Sequence, residues 1–266
     1  MTTKIIKGQI MAMKQQDNSA SPPTRGPKID IATPAYQGNF SAPYVRSFYL
    51  LLSEGQRWGA RFAFSHIDYS DIVASRNFLI SNCYYNKPDC DFLLFLDADM
   101  GFPPALILEM ITLGEDLCGV LYQRRQLNLE VLQQGGELEH RKALAQACSF
   151  IGSAGTPHPR HPGFRQTNAY GKGIMLISRR CVRTMIECCP EIVDHKRFWK
   201  LPFGSRFEQF LTPFNKIELE DRELSEDLSF CHRWTQQCGG HLYANINHPI
   251  AHMSSLELTT CYSDSL

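Results

Sequence analysis

The sequence carries no excess of charge of either sign. Lys and Arg number 27 against 27 Asp and Glu, and charged residues make up 20% of the 266 positions. Without a basic surplus nothing draws the chain to a polyanion over long range, so no nucleic-acid partner is expected. No uninterrupted apolar stretch approaches the roughly 18 residues that a membrane-spanning helix needs. Lys4, Lys7, Lys14 and Asp17 interrupt the N-terminal region before the apolar core of a secretory signal can form. The expected setting is therefore cytoplasmic, with no transmembrane segment and with peripheral membrane association left open. Cysteine is plentiful at 10 residues, but CxxC pairs of zinc-site spacing are missing, which argues against a His- and Cys-based zinc protein. The thiols are expected to be reduced and to pack as small hydrophobes. Internal repeats are absent as well.

What the chain does have is apolar periodicity. Residues 15–28 are polar and rich in Ser, Pro and Gly; such a segment buries too little apolar surface to offset ordering, so a loose N-terminal tail over 1–28 is expected. Ile29 and Ile31 alternate with polar neighbours and lead into Thr33-Pro34-Ala35-Tyr36, a strand running into a loop. The spacing of Tyr44, Phe48, Leu51 and Leu52 predicts a helix over 41–54, the alternation over 61–67 a strand, and Asp71 the cap of a helix reaching about Tyr85. Phe92-Leu93-Leu94-Phe95-Leu96 has the continuous apolarity of a strand buried on both faces. Beyond it, helices are expected over 105–113, 180–189 and 226–237, the last capped by Ser225, and strands over 117–122, 171–178 and 242–246. This alternation predicts an α/β fold with a mostly parallel, doubly wound central sheet flanked by helices, and a ligand site outside the strands' carboxyl ends. The stretch 123–170 reads as a long loop or lid, with His158 and His161 solvated. One catalytic unit is expected over 29–255, with a donor-nucleotide half (29–125), an acceptor half (126–255) and a C-terminal tail (256–266).

The chemistry is concentrated where the central apolar run stops. Residues two apart on a strand point the same way, so Asp97 and Asp99 present their carboxylates together while Ala98 faces away. A few carboxylate oxygens supplemented by substrate phosphates suit Mn²⁺ or Mg²⁺; the competing reading is that both acids simply end the strand. Lys172, between Gly171 and Gly173, can approach phosphate or acceptor closely, or belongs to an ordinary turn. Tyr122, Arg124 and Arg125 end the following strand and are candidates to face the donor, although at least one arginine is expected to be solvated.

FLLFLDADMGFPP, over 92–104, resembles the strand and DxD motif of GT-A glycosyltransferases, whose acids hold a metal that bridges the donor diphosphate. In the same order, IDIATPAY resembles that family's first strand and nucleotide-contacting loop, DIVASRNFLI its helix with an ARN-like motif, GKGIMLISR the strand lining the acceptor site, and LSEDLSFCHRW the helix bearing the catalytic base of inverting members. The resemblance runs from Ile29 to about Ser254. It implies that Thr33, Ala35 and Tyr36 border the base and ribose and that Arg76 lies near the nucleotide or its phosphates, unless it is an exposed helical arginine. It implies a histidine near the C-terminus as a further metal ligand, His252 with His248 as competitor. Asp227 is implied as the base, with Glu226 as alternate or acceptor-orienting group; acids at a helix N-terminus are also favourable without catalysis. The donor would be a UDP-sugar ahead of a GDP-sugar, and the acceptor a glycan or a lipid-linked molecule. A sugar-phosphate nucleotidyltransferase fits less well, because TPAYQGNF stands where its Gly-rich basic phosphate loop belongs. A catalytically silent nucleotide-sugar or glycan-binding module of the same fold is the remaining alternative.

Overall fold

The computed structural model describes residues 26–134, 140–195 and 201–254. The expected tails over 1–28 and 256–266 lie outside these residues, apart from 26–28. The chain runs β1 (Lys28–Pro34), α1 (Ala42–Arg57), β2 (Arg61–Ile67), α2 (Ile72–Ser81), β3 (Phe92–Leu96), β4 (Met100–Gly101), α3 (Pro104–Leu113), β5 (Leu117–Val120) and β6 (Gln123–Leu127). It continues through α4 (Leu129–Gln134), α5 (His140–Ala147), β7 (Cys148–Phe150), β8 (Phe164–Gln166), β9 (Ile174–Ser178) and α6 (Arg179–Cys188). Two short ribbons follow, β10 (Val193–Asp194) with β11 (Phe210–Leu211) and β12 (Ile217–Glu218) with β13 (Glu223–Leu224). The last elements are α7 (Glu226–His232), β14 (Tyr243–Asn245) and β15 (Ala251–His252).

Seven strands form the central sheet in the order β2-β1-β3-β9-β5-β14-β8. Strands β2, β1, β3, β5 and β14 run one way, and β9 and β8 the other. The sheet is thus mostly parallel and flanked by helices, as expected, but the strand over 174–178 is inserted antiparallel between β3 and β5. An apolar run specifies burial on both faces and carries no information on direction.

β3 shows why the centre is stable. Its side chains alternate between two cores: Leu94 and Leu96 pack in the one containing Tyr44, Leu51, Leu106 and Met110 from α1 and α3. Leu93 and Phe95 pack in the other, which contains Phe78 and Leu79 of α2, Met185 of α6 and Phe230 of α7. Each such side chain, fully buried, stabilises the fold by roughly 1.5–3 kcal/mol. The helix starts follow the sequence: Asp71 Oδ1 accepts from the Ala74 amide at 3.0 Å and Ser225 Oγ from Leu228 at 3.4 Å.

The stretch 123–170 is more structured than a loop. β6 pairs with β7, and β8 joins the sheet edge beside β14. His158 is buried, not solvated: its Nε2 lies 3.2 Å from Glu115 Oε1, and its Nδ1 accepts from the amides of Arg160 and His161. Among the described residues no helix is long and apolar enough to cross a membrane.

Candidate functional site

The segment Asp97-Ala98-Asp99 leaves the carboxyl end of β3 and is pinned from three sides. The Asp97 amide donates to Gly173 O (2.9 Å) before β9, Ser41 at the start of α1 donates to Ala98 O (2.8 Å), and the Met253 amide donates to Asp99 O (3.0 Å). A backbone fixed in this way holds both carboxylates in place before any ligand arrives, so little ordering entropy is left to be lost on binding. The pairing of β15 with β4 sets His252 opposite Met100, which brings a histidine distant in sequence beside Asp99. Its Nε2 lies 3.6 Å from Asp99 Oδ2.

The acids open on a cleft of about 440 Å³ lined by Pro34, Tyr36, Phe40, Asp97, Asp99 and Arg125, among others. Asp97 Oδ1 and Asp99 Oδ1 are both buried without a hydrogen-bond partner in the structure, as is Asp227 Oδ1. Unsatisfied buried carboxylate oxygens are costly, and a divalent cation would satisfy them. Their second oxygens are engaged. Arg76 Nη2 donates to Asp97 Oδ2 at 3.2 Å, and Arg125 Nη2 contacts Asp99 Oδ2. Among the described residues no three His, Cys, Asp or Glu side chains are already arranged around a common metal position.

The electrostatics agree with a charged cluster. Burial works against the Arg76 guanidinium, yet Asp97 and Asp227, with Tyr122 and Glu226, raise its pKa above the ordinary value. Burial, then Asp97 and Asp227, also raises the Tyr122 phenol. Asp227 contributes to both shifts, so its charge acts on the same two groups as that of Asp97. The His252 pKa lies below its ordinary value: burial lowers it, the Gln123 carbonyl opposes the shift, and Arg125 adds to it. Because His252 Nδ1 is 2.8 Å from the Gln123 carbonyl, Nδ1–H is the donor and Nε2 keeps its lone pair. That is the tautomer a metal ligand requires.

The sequence-derived candidates divide by position. Tyr36, Asp97, Ala98 and Asp99 line the cleft. Thr33 and Ala35, expected to border the base and ribose, are buried and not part of the cleft lining, with Thr33 Oγ1 bonded to Tyr44 Oη at 2.6 Å. Arg76 is no exposed helical arginine; it is buried and braces Asp97, and its Nη1 donates to Lys172 O at 3.4 Å. Lys172 is fully buried with its ammonium 2.9 Å from Cys231 Sγ, away from the cleft lining. His248 pairs with Glu109 Oε1 at 3.0 Å, leaving His252 as the histidine at Asp99. Glu226 and Asp227 open α7, half-buried, and Asp227 carries a buried oxygen without a hydrogen-bond partner. Sequence reading left Arg125 unresolved between ligand contact and solvent, because a strand of sequence QRRQL has no apolar phase to orient it.

No protein-family model matches the chain, and no curated protein matches it. Among solved structures it is similar to A197 from STIV, at 14% identity, 86% of this chain, 87% of that one and a TM-score of 0.44. It is also similar to the catalytic domain of Drosophila β1,4-galactosyltransferase 7 in complex with xylobiose (13% identity, 90% and 78% covered, TM-score 0.38). A third is a Bacillus anthracis protein assigned as a glucose-1-phosphate thymidylyltransferase (12% identity, 85% and 89% covered, TM-score 0.37). At these values the activity has to be read from this chain's own site.

Proposed function

We propose that the chain is a metal-dependent glycosyltransferase that moves a sugar from a nucleoside-diphosphate donor to a hydroxyl of a glycan or lipid-linked acceptor, with inversion. The observation that carries this reading is the pair of buried, unpartnered oxygens on Asp97 and Asp99, two residues that line the cleft, with His252 Nε2 3.6 Å from Asp99 Oδ2. Asp97, Asp99 and His252 would hold Mn²⁺ or Mg²⁺, and the carboxylate and imidazole donors suit either ion. Held by these residues, such a cation would neutralise charge on the leaving diphosphate.

The remaining work falls to the protein's own groups. Arg76 holds Asp97 Oδ2 and leaves Oδ1 without a hydrogen-bond partner. Tyr36 and Phe40 border the cleft and offer faces for the base or ribose of a UDP-sugar, or of a GDP-sugar. Asp227 Oδ1 accepts the proton of the acceptor hydroxyl as that oxygen attacks the anomeric carbon. Residues 29–125 would serve the donor and 126–255 the acceptor.

The test is turnover of UDP-, GDP- and dTDP-sugars with Mn²⁺ or Mg²⁺, followed as nucleotide release and acceptor glycosylation. The expected result is metal-dependent turnover that Asp227→Asn reduces by about 100-fold or more while donor binding persists. Tight binding with no turnover for any donor would replace the enzyme with a binding module, and transfer by Asp227→Asn at the normal rate would remove Asp227 from its role.

A further inference from the structure

Arg125 holds both partners that a cation at Asp99 would need. Its Nε donates to His252 Nε2 at 2.9 Å and its Nη2 contacts Asp99 Oδ2. His252 Nδ1 is committed to the Gln123 carbonyl, so Nε2 has a single lone pair, and the guanidinium N–H has taken it. A metal ion and Arg125 therefore cannot occupy His252 at the same time. A guanidinium is not deprotonated in a protein, so Arg125 can yield only by swinging away with its charge.

We propose that Arg125 is a built-in competitor of the divalent cation and couples metal binding to donor binding; the inference rests on the metal-dependent reading above. The side chain is suited to moving. It is 56% exposed, stands on the exposed strand β6 and lines the same cleft as Asp97 and Asp99. Displaced into that cleft, it meets the diphosphate of the donor, for which an arginine fork is a complementary partner. The metal alone must break the Arg125 contacts without replacing them. The metal with a nucleoside diphosphate breaks them and gives Arg125 an anion in exchange. Each ligand thus raises the affinity for the other, as reciprocal coupling requires.

Two roles are separable here. Asp97, Asp99 and His252 decide whether a cation binds at all, whereas Arg125 decides how strongly that binding depends on the nucleotide. Its exposure and its place on the exposed strand β6 make Arg125→Gln a mild substitution.

The experiment is a titration of the full chain with Mn²⁺, followed by electron paramagnetic resonance, with and without UDP, for the wild type, Arg125→Gln and Arg125→Lys; thermal unfolding checks that each variant is folded. Arg125→Gln is expected to bind Mn²⁺ alone roughly tenfold more tightly than the wild type, and UDP is expected to enhance Mn²⁺ affinity less in this variant. Arg125→Lys, which keeps the charge without the fork, falls between them. Equal Mn²⁺ affinity in wild type and Arg125→Gln, or weaker binding in the variant, overturns the competitor role and leaves the metal reading intact. If no form binds Mn²⁺ with or without UDP, the metal reading itself fails, and the coupling with it.

Discussion

Asp30 shows how a single buried residue can be read in two opposite ways. It is fully buried in β1, 2.6 Å from Lys87 Nζ and 3.0 Å from Ser65 Oγ, an arrangement that suggests a stabilising ion pair. Burial nevertheless outweighs Lys87 and Ser65, and the carboxyl pKa lies above its ordinary 3.8. The folded protein then binds this proton more tightly than the unfolded chain does. Its contribution to stability is full below the ordinary value and is lost as pH rises through the raised one. The stability of the wild type relative to Asp30→Asn should accordingly increase as the solution is acidified toward pH ~4, measured by urea unfolding across pH. A relative stability that instead decreases on acidification would mean that the Lys87 pair dominates. Nothing in the sequence announces this: Asp30 sits between two isoleucines as an ordinary polar residue of an alternating strand, and Lys87 is 57 positions away. Asp97 and Asp99 were legible because they follow an apolar run, but strand alternation does not orient them: β3 ends at Leu96, the acids stand in the turn after it, and Ala98, expected to face away, lines the cleft with them. The bracing of Asp97 by Arg76 was not legible, since one arginine on a helix does not reveal which face is buried.

Elements were legible where local pattern and tertiary use coincide. β3 is the clearest case, since the run over 92–96 is apolar at every position and both of its faces pack against helices. Leu94, fully buried, is a direct probe of that packing. Leu94→Ala should cost roughly 2–5 kcal/mol in unfolding free energy, as lost transfer plus cavity. A loss below about 1 kcal/mol in denaturant titration would show that the site can collapse, at odds with a close-packed central strand. The caps at Asp71 and Ser225 were also readable, because each is a local side-chain-to-amide bond. Strand direction, the pairing of β6 with β7 and the two-residue pairing of β15 with β4 were not readable. Each depends on partners remote in sequence, and QRRQL over 123–127 lacks the alternation that marks a half-buried strand. The same remoteness explains His158, whose burial rests on Glu115 and on the tight turn at Arg160 and His161.

At the scale of the molecule, the parallel strands bring their carboxyl ends to one side, and the antiparallel β9 delivers Gly173 to that side by its entry. Four separate stretches of chain meet there: Tyr36 and Phe40 after β1, the acids after β3, Arg125 on β6 and His252 on β15. Sequence predicted a site at these strand ends; β1 beside β3 in the sheet sets Tyr36 and Phe40 near the acids, and the separate pairing of β15 with β4 brings His252 from more than a hundred positions away. The most direct measurement is calorimetric titration of UDP into the wild type and Asp99→Ala, each with and without Mn²⁺. Binding by the wild type that requires Mn²⁺ and disappears in Asp99→Ala is the expected result. Binding of equal strength without the metal or in Asp99→Ala, or no binding of UDP or GDP under any condition, would contradict a cation-bridged diphosphate at the end of β3.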